Sequence, residues 1–272
     1  MSLEIPPIKL NTKLLFGSLC KALKVDCVCD IGSRDGLQSL YFRDILPEAT
    51  IVAFEANPIN FKAMQKDRRL QAAGLQIYSV AVSDQKGKSH FHITDVDYEN
   101  PHENTGTSSL LIHEGLKIKD SIEVETVRID EFIHERYPEC QKIALWLDVE
   151  GAEYSVLIGA SGIKDRIVAI HAEVALKPMR IGQKTYNEDV KPLLEGFGFE
   201  FCGTNIPDND VWGDVVFIQK KVAENLGSDL EKCKKKAMVG NRLKVDFIAY
   251  YLQRYCRPLY SVARKLYLKL AS

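Results

Sequence analysis

The chain has 272 residues, 46% hydrophobic and 27% charged, a size and mixture that bury a sizeable core and exclude a disordered protein. No apolar run reaches the ~18 residues of a membrane span, which excludes an integral membrane helix. The formal net charge of −1 is the balance of two unlike parts: from Val222 onward stand 11 Lys/Arg against four Asp/Glu, a basic tail of +7 after an acidic body of −8.

Residues 1–24 are read as an N-terminal helical segment. The opening MSLEIPPIKL lacks the charged-then-apolar layout of a secretory signal, and the expectation is a cytoplasmic protein. Seven cysteines, Cys20, Cys27, Cys29, Cys140, Cys202, Cys233 and Cys256, form no CxxC pair. Odd in number and partly inside an apolar strand, they read as buried free thiols of a reducing compartment. No ligand cluster has the spacing of a structural zinc site.

Strands are expected at 25–30 (VDCVCD), 50–55 (TIVAFE), 75–82 (LQIYSVAV), 143–148 (IALWLD), 167–174 (IVAIHAEV), 198–202 (GFEFC) and 214–219 (DVVFIQ). They are continuously apolar rather than alternating, as in a parallel sheet covered on both faces. Helical periodicity falls between them at 36–46, 152–160 and 186–196. Repeated βα units predict an open, doubly wound α/β sheet. The last two strands are joined by the short GTNIPDNDVWG, too short for a parallel crossover, so they pair antiparallel. Between 88 and 129 the rhythm breaks into two extended pieces around the polar ENPHENTGTSSL. A loop that long is uncommon without a function, and 100–112, with Thr105, Gly106, Thr107 and Ser109, is a candidate acceptor lid.

In open α/β sheets ligands bind beyond the carboxyl ends of the strands. The first strand ends at Asp30, Gly32 allows close backbone approach, and Gly36 opens the helix. The second ends in Glu55, where a carboxylate can accept both hydroxyls of a ribose. The run Gly32-Ser33-Arg34-Asp35-Gly36 lacks the GxGxxG spacing that a dinucleotide pyrophosphate needs, which counts against a nucleotide-dependent dehydrogenase. Acidic Asp30 and Asp35 repel phosphate and attract the ammonium and sulfonium of S-adenosylmethionine.

The stretches DIGSRDG (30–36), FEANP (54–58), VAVSDQKG (80–87), TGTSSL (105–110), VRIDEF (127–132) and LWLDVEGAEYSVLIGA (145–160) resemble the FkbM-type S-adenosylmethionine-dependent methyltransferases. The resemblance spans about residues 25–220. It implies a class I methyltransferase fold, a mostly parallel Rossmann-like sheet ending in an antiparallel hairpin, over a cofactor-binding domain at 25–221. By matched position it implies that Asp30, Gly32 and Gly36, with Ser33 and Asp35 between them, line the methionine part of the cofactor. Glu55, followed by Ala56, would hold the ribose, Ser83 and Asp84 would border the adenine, and Asp148 would face the reaction centre. The family often has Ala-Asn where this chain has Ser33-Arg34, and Arg34 is expected to turn away or to bind an acidic group of the acceptor.

An alcohol acceptor must lose a proton, which a carboxylate, a histidine or a metal-bound oxygen can assist. Asp148, His171 and Glu173 are the candidates. His171 and Glu173 share one strand face by the period of two, and the three converge if their strands are neighbours. A hydrogen-bonded core position is the simpler role for His171, and a solvent-facing place in the first turn of a helix is expected of Glu150 and Glu153. Mg²⁺ stays open, since Asp148 and Glu173 offer oxygen ligands without a decisive third. His90, His92, His102, His113 and His134 have no metal spacing.

Residues 222–272 mix basic residues with tyrosines, and Leu259, Val262, Leu266 and Leu270 recur at helical spacing. They read as a basic amphipathic helical tail, docked on the domain or on a second copy in a homodimer, or touching an anionic membrane surface. No nucleic-acid module is recognisable, so no nucleic-acid partner is expected. The expected function is S-adenosylmethionine-dependent O-methylation of a small-molecule or glycan hydroxyl. The rivals are the dehydrogenase and an inactive cofactor-binding partner protein.

Overall fold

A computed structural model describes residues 9–95, 106–207 and 210–242. In chain order the elements are α1 (Thr12–Leu23), β1 (Cys27–Ile31), α2 (Leu37–Ile45), β2 (Thr50–Phe54), α3 (Pro58–Lys66), α4 (Arg68–Ala72), β3 (Gln76–Tyr78), β4 (Ala81–Val82), β5 (Gly87–Thr94), β6 (Ile118–Val127), α5 (Ile129–Arg136), β7 (Ile143–Leu147), α6 (Glu153–Gly159), β8 (Ile167–Ala175), α7 (Lys191–Gly196), β9 (Phe199–Thr204), β10 (Trp212–Gln219), α8 (Lys220–Leu226) and α9 (Ser228–Arg242). A π-helical turn, Tyr186–Val190, leads into α7.

Seven strands form one sheet in the order β3-β2-β1-β7-β8-β10-β9. All run parallel except β10, which is antiparallel to both β8 and β9. This is the mostly parallel sheet with a closing antiparallel hairpin that the sequence predicts. Every residue of β1 is buried, as helices on both faces require. One face packs under α5, α6 and α7 through Ile133, Val156, Leu157 and Leu194. The other packs under α1, α2, α8 and α9 through Phe16, Phe42, Ala223 and Ala237.

The 75–82 strand is two elements. Gln76–Tyr78 stays in the main sheet, whereas Ala81–Val82 crosses into a second sheet ordered β4-β6-β5. The inserted extended pieces are β5 and β6, paired antiparallel, so the insertion carries its own small sheet beside the rim. Thr105 and His102 lie outside the described residues.

The terminal segments belong to the main core. Asn11 caps α1 by accepting from Leu14 N (2.9 Å), Lys24 ends it at φ +54°, and Asn11 N donates to Ala237 O of α9 (3.1 Å). A truncation at 222 therefore strips the buried Ala223, Cys233 and Ala237 from α1, and the separable part of the tail starts after Arg242. Leu259, Val262, Leu266 and Leu270 lie outside the described residues. So does Cys256; the other six cysteines are buried free thiols. Among the described residues no helix is long and apolar enough to cross a membrane.

Register sets up the functional rim. Ile31 pairs with Phe54 of β2 and with Leu147 of β7, so the turns after these strands emerge side by side. Gly32 N and Ser33 N donate to Phe54 O (3.0 Å each), and Asp148 N donates to Ile31 O (2.9 Å).

Candidate active site

A cleft of about 530 Å³ opens at this rim, lined by Gly32, Arg34, Glu55, Ala56, Val80, Ala81, Val82, Phe91, Gly106, Asp148 and Glu150 among others. Gly32 has φ +86°, and a Cβ there would lie 1.9 Å from Asp148 O, so no other residue lets the first and fourth turns approach so closely.

Glu55 is buried and held by backbone. Its Oε2 accepts from Arg34 N (2.6 Å) and its Oε1 from Asn57 N (2.7 Å). Burial pushes its carboxyl up to about 7, against the amide bonds from Asn57 and Arg34 and a bond from Asn60 that lower it. Each oxygen keeps a second lone pair for a ligand hydroxyl. Asp30 is fully buried. Ser33 Oγ and Ser39 Oγ both donate to its Oδ2 (2.7 and 2.5 Å), its Oδ1 has no hydrogen-bond partner, and burial raises its carboxyl to about 6. A nucleoside with a cationic amino-acid end fits this donor and acceptor set: a fixed carboxylate for the sugar, apolar Val80–Val82 and Phe91 for the base, and acidic groups at the far end.

Several expected cofactor residues do other work. Asp35 is exposed, and its Oδ1 accepts from Leu37 N (3.0 Å), capping α2. Gly36 faces α4, where a Cβ would meet Leu70 at 2.7 Å. Ser33 serves Asp30 from below the cleft. Ser83 and Asp84 also stand off: Ser83 Oγ donates to Asp84 Oδ1 (2.9 Å), and Asp84 O accepts from Arg128 Nη1 (2.7 Å). Val80, Ala81 and Val82 line the cleft, and Ser83 and Asp84 are not among its lining residues.

Asp148, Glu150 and Glu173 each offer a carboxylate oxygen, and the three lie within 4.8 Å of one another. Asp148 opens onto the cleft. The surrounding protein still withdraws it from bulk water, and its carboxyl is raised well above the ordinary value by that desolvation and then by the charges of Glu150, Asp214, Glu153 and Asp30. Glu173 is raised by burial and then by Asp148 and Glu150. Two carboxylates so placed each make the other harder to ionise. Glu150 offers a third carboxylate oxygen that the sequence did not single out, so the three could hold a hard cation such as Mg²⁺. It is also ion-paired to the buried guanidinium of Arg180.

Glu150 and Glu153 are not the solvent-facing pair expected at the start of α6. Glu153 is buried, its Oε1 accepts from Val149 N (3.2 Å) and Gly151 N (3.1 Å), and burial raises it to about 7. It ties the DVEGAE turn shut. Arg180 was missed because hydropathy treats an arginine as surface, and 30 residues of chain separate it from Glu150.

His171 shares the strand face with Glu173 but lies one rung deeper, 2% exposed. Its ring stacks on Trp146 (centroids 3.5 Å apart, planes 7°), and neither nitrogen has a hydrogen-bond partner. Burial lowers its pKa to about 4, so the ring is neutral. It does not line the cleft, and in place of the hydrogen bond expected of a core histidine its Nε2 lies 3.8 Å from Asp214 Oδ2. His171→Phe keeps the stack, and turnover is expected to stay within about threefold of wild type, with stability changed by about 1 kcal/mol. A rate loss of a hundredfold in steady-state assays would restore His171 to the chemistry.

The lid segment from Gly106 onward is a wall pinned on three sides. His92 and Ser109 exchange backbone bonds (2.8 and 3.2 Å), and Ser109 Oγ donates to Val149 O (3.2 Å). Ile181 N donates to Ile112 O (2.9 Å) and Glu114 N to Met179 O (3.1 Å). The guanidinium of Arg34, a residue at φ +55°, lies against Gly106; burial raises the carboxyl of Glu150, and Arg180 and Arg34 work against that rise.

Three comparisons bear on this site. The family described as "Methyltransferase FkbM domain" matches residues 30–201. The 2-O-methyltransferase NoeI of Sinorhizobium fredii (strain NBRC 101917 / NGR234) is 26% identical over 162 residues, which cover 57% of this chain and 66% of that protein. Among solved structures, the bifunctional kinase-methyltransferase WbdD superposes with a TM-score of 0.44 at 16% identity, over 76% of this chain and 38% of WbdD. Human N-acetylserotonin methyltransferase in complex with SAM gives 0.40 at 12%, over 77% of this chain and 51% of that one. The chain thus spans less than two thirds of each of these relatives' lengths.

Proposed function

Because the chain belongs to the FkbM methyltransferase family, we propose that it moves a methyl group from S-adenosylmethionine to a hydroxyl of a small-molecule or glycan acceptor. The observation that carries this reading is the pairing, across one cleft, of the backbone-held Glu55 with the acid cluster at Asp148. S-adenosylmethionine, when bound, supplies a sulfonium-activated methyl group for in-line displacement by the acceptor oxygen. Glu55 grips the ribose hydroxyls through its free lone pairs. The Gly32 turn admits the methionine end, and the buried carboxyl of Asp30, whose Oδ1 has no hydrogen-bond partner, favours a cation there. Asp148 accepts the acceptor's hydroxyl proton as the new C–O bond forms, and Glu173 shares that proton. Most of the barrier reduction comes from holding donor and acceptor in line.

Mg²⁺ at Asp148, Glu150 and Glu173 is the second way to lower the hydroxyl's pKa. Loss of turnover in EDTA, restored by Mg²⁺, selects it over direct proton transfer. Residues 25–221 carry the chemistry in this proposal, in the cytoplasm. The chain beyond Arg242 serves as a basic arm towards a second copy or an anionic surface.

Glu55→Ala is expected to weaken S-adenosylhomocysteine binding by about 1.5–3 kcal/mol, the range for hydrogen bonds to charged groups. Titration calorimetry checks it, and unchanged affinity removes Glu55 from the ribose. Detection of S-adenosylhomocysteine formed in the presence of hydroxylated acceptors tests the reaction as a whole.

A further inference from the structure

An aromatic side chain stands uncovered beside the acid cluster. Trp212 is 47% exposed, although it begins a strand whose following residues are mostly buried. Because β10 runs antiparallel to β8, its first residue lies at the same rim as the carboxyl ends of the parallel strands. Register fixes the rest. Trp212 stands opposite Ala175 and Asp214 opposite Glu173, so the indole projects from the sheet face that carries Glu173, two residues or about 7 Å further along the strand. Glu173 in turn lies within 4.8 Å of Asp148 and Glu150.

The backbone on either side of Trp212 is held by hydrogen bonds. Leu176 N donates to Val211 O (2.6 Å). Asp214 Oδ2 accepts from Asn205 Nδ2 (2.6 Å) and Thr12 Oγ1 (3.2 Å), and Asp214 N donates to Asn205 Oδ1 (2.7 Å). Such anchoring is what a binding residue needs to keep its geometry.

The combination suits one chemistry. A pyranose presents polarised C–H bonds on its ring faces and hydroxyls around its rim. The electron-rich indole face attracts the first, and carboxylate oxygens accept from the second. We propose that Trp212 is the stacking platform of the acceptor subsite, that it takes a hexopyranose ring, and that it presents one ring hydroxyl to Asp148. This rests on the methyl-transfer reading and narrows its acceptor to a sugar.

The test uses the full chain with S-adenosylhomocysteine bound, and methyl α-D-mannopyranoside, methyl β-D-glucopyranoside and methyl β-D-galactopyranoside as probes, with catechol as the flat non-sugar control. At least one pyranoside is expected to change the tryptophan emission, and Trp212→Phe is expected to abolish that change while Trp146 remains as internal reference. With S-adenosylmethionine, Trp212→Ala is expected to raise KM for that pyranoside tenfold or more, with kcat within threefold and cofactor affinity unchanged. Trp212→Phe, which still stacks, is expected to restore KM to within about threefold. Emission and turnover responsive to catechol alone, or a pyranoside KM indifferent to Trp212→Ala, would overturn the subsite and leave methyl transfer standing. Failure of the wild-type chain to bind S-adenosylhomocysteine at all would instead sink the methyl-transfer reading beneath it.

Discussion

Gly32→Ala is expected to cost about 3–5 kcal/mol of stability and to abolish measurable binding of S-adenosylhomocysteine. Two penalties add. A residue with a Cβ at φ +86° loses about 1–2 kcal/mol to left-handed backbone strain. The added carbon would also sit 1.9 Å from the Asp148 carbonyl, so the first and fourth turns must part and the bond from Asp148 N to Ile31 O must stretch. That movement carries Asp148 away from the cleft, which is why binding falls along with the fold. Gly74→Ala separates the two causes. It has φ +64° with no atom within 4 Å of the new carbon, and should lose only about 1 kcal/mol. Thermal unfolding of both variants, with calorimetry on each at a temperature where it is folded, checks the pair. If the two lose the same stability, the close approach at Gly32 is not a constraint.

The same turn marks how far the sequence could be read. Continuous apolar strands alternating with helical segments are a direct consequence of burying a parallel sheet on both faces, so the order of elements and the closing hairpin followed from hydropathy and linker length. Gly32 and Glu55 could be placed at the rim cleft because a strand ending in a glycine turn and another ending in an acid admit few structural explanations. Asp35 was not, since a carboxylate two residues before a helix has the same signature as a cap and as a ligand, and only geometry assigns its Oδ1 to Leu37 N.

Charged residues that act from inside the protein were the weakest point. Glu153 and Arg180 look like surface residues in a sequence, yet one closes the DVEGAE turn and the other pairs with Glu150 from 30 residues further along the chain. The apolar wall at Val80–Val82 was hidden for a related reason. A strand reading of 75–82 gave every residue a structural role, and the break that frees Val80, Ala81 and Val82 to line a cleft depends on where the inserted sheet docks. His171 was placed on the correct face, but strand periodicity says nothing about depth along the strand, and depth separates a base from a stacked core ring.

Asp148→Asn carries the largest kinetic expectation, a fall in kcat of about 10²–10⁴, the span of a positioned proton acceptor. The pH profile distinguishes this from mere loss of structure. In the wild-type protein desolvation and neighbouring charge raise both Asp148 and Glu173, so the pair keeps its protons to higher pH than free carboxylates do, and the rate rises as pH climbs through the shared titration. In the Asp148→Asn variant Glu173 loses its nearest negative neighbour, its pKa falls, and the acid limb of the residual activity moves to lower pH. Stability responds the other way from activity. A carboxyl raised on folding contributes stability that is lost as pH rises through its folded pKa, so removing it should leave the variant at least as stable as wild type at pH 8. Loss of turnover with an undiminished melting temperature and a lowered acid limb is the signature of Asp148 as base. Intact cofactor binding, no turnover on any hydroxylated acceptor and no response to Asp148→Asn would instead mark a cofactor-binding protein whose acid cluster has no proton to move.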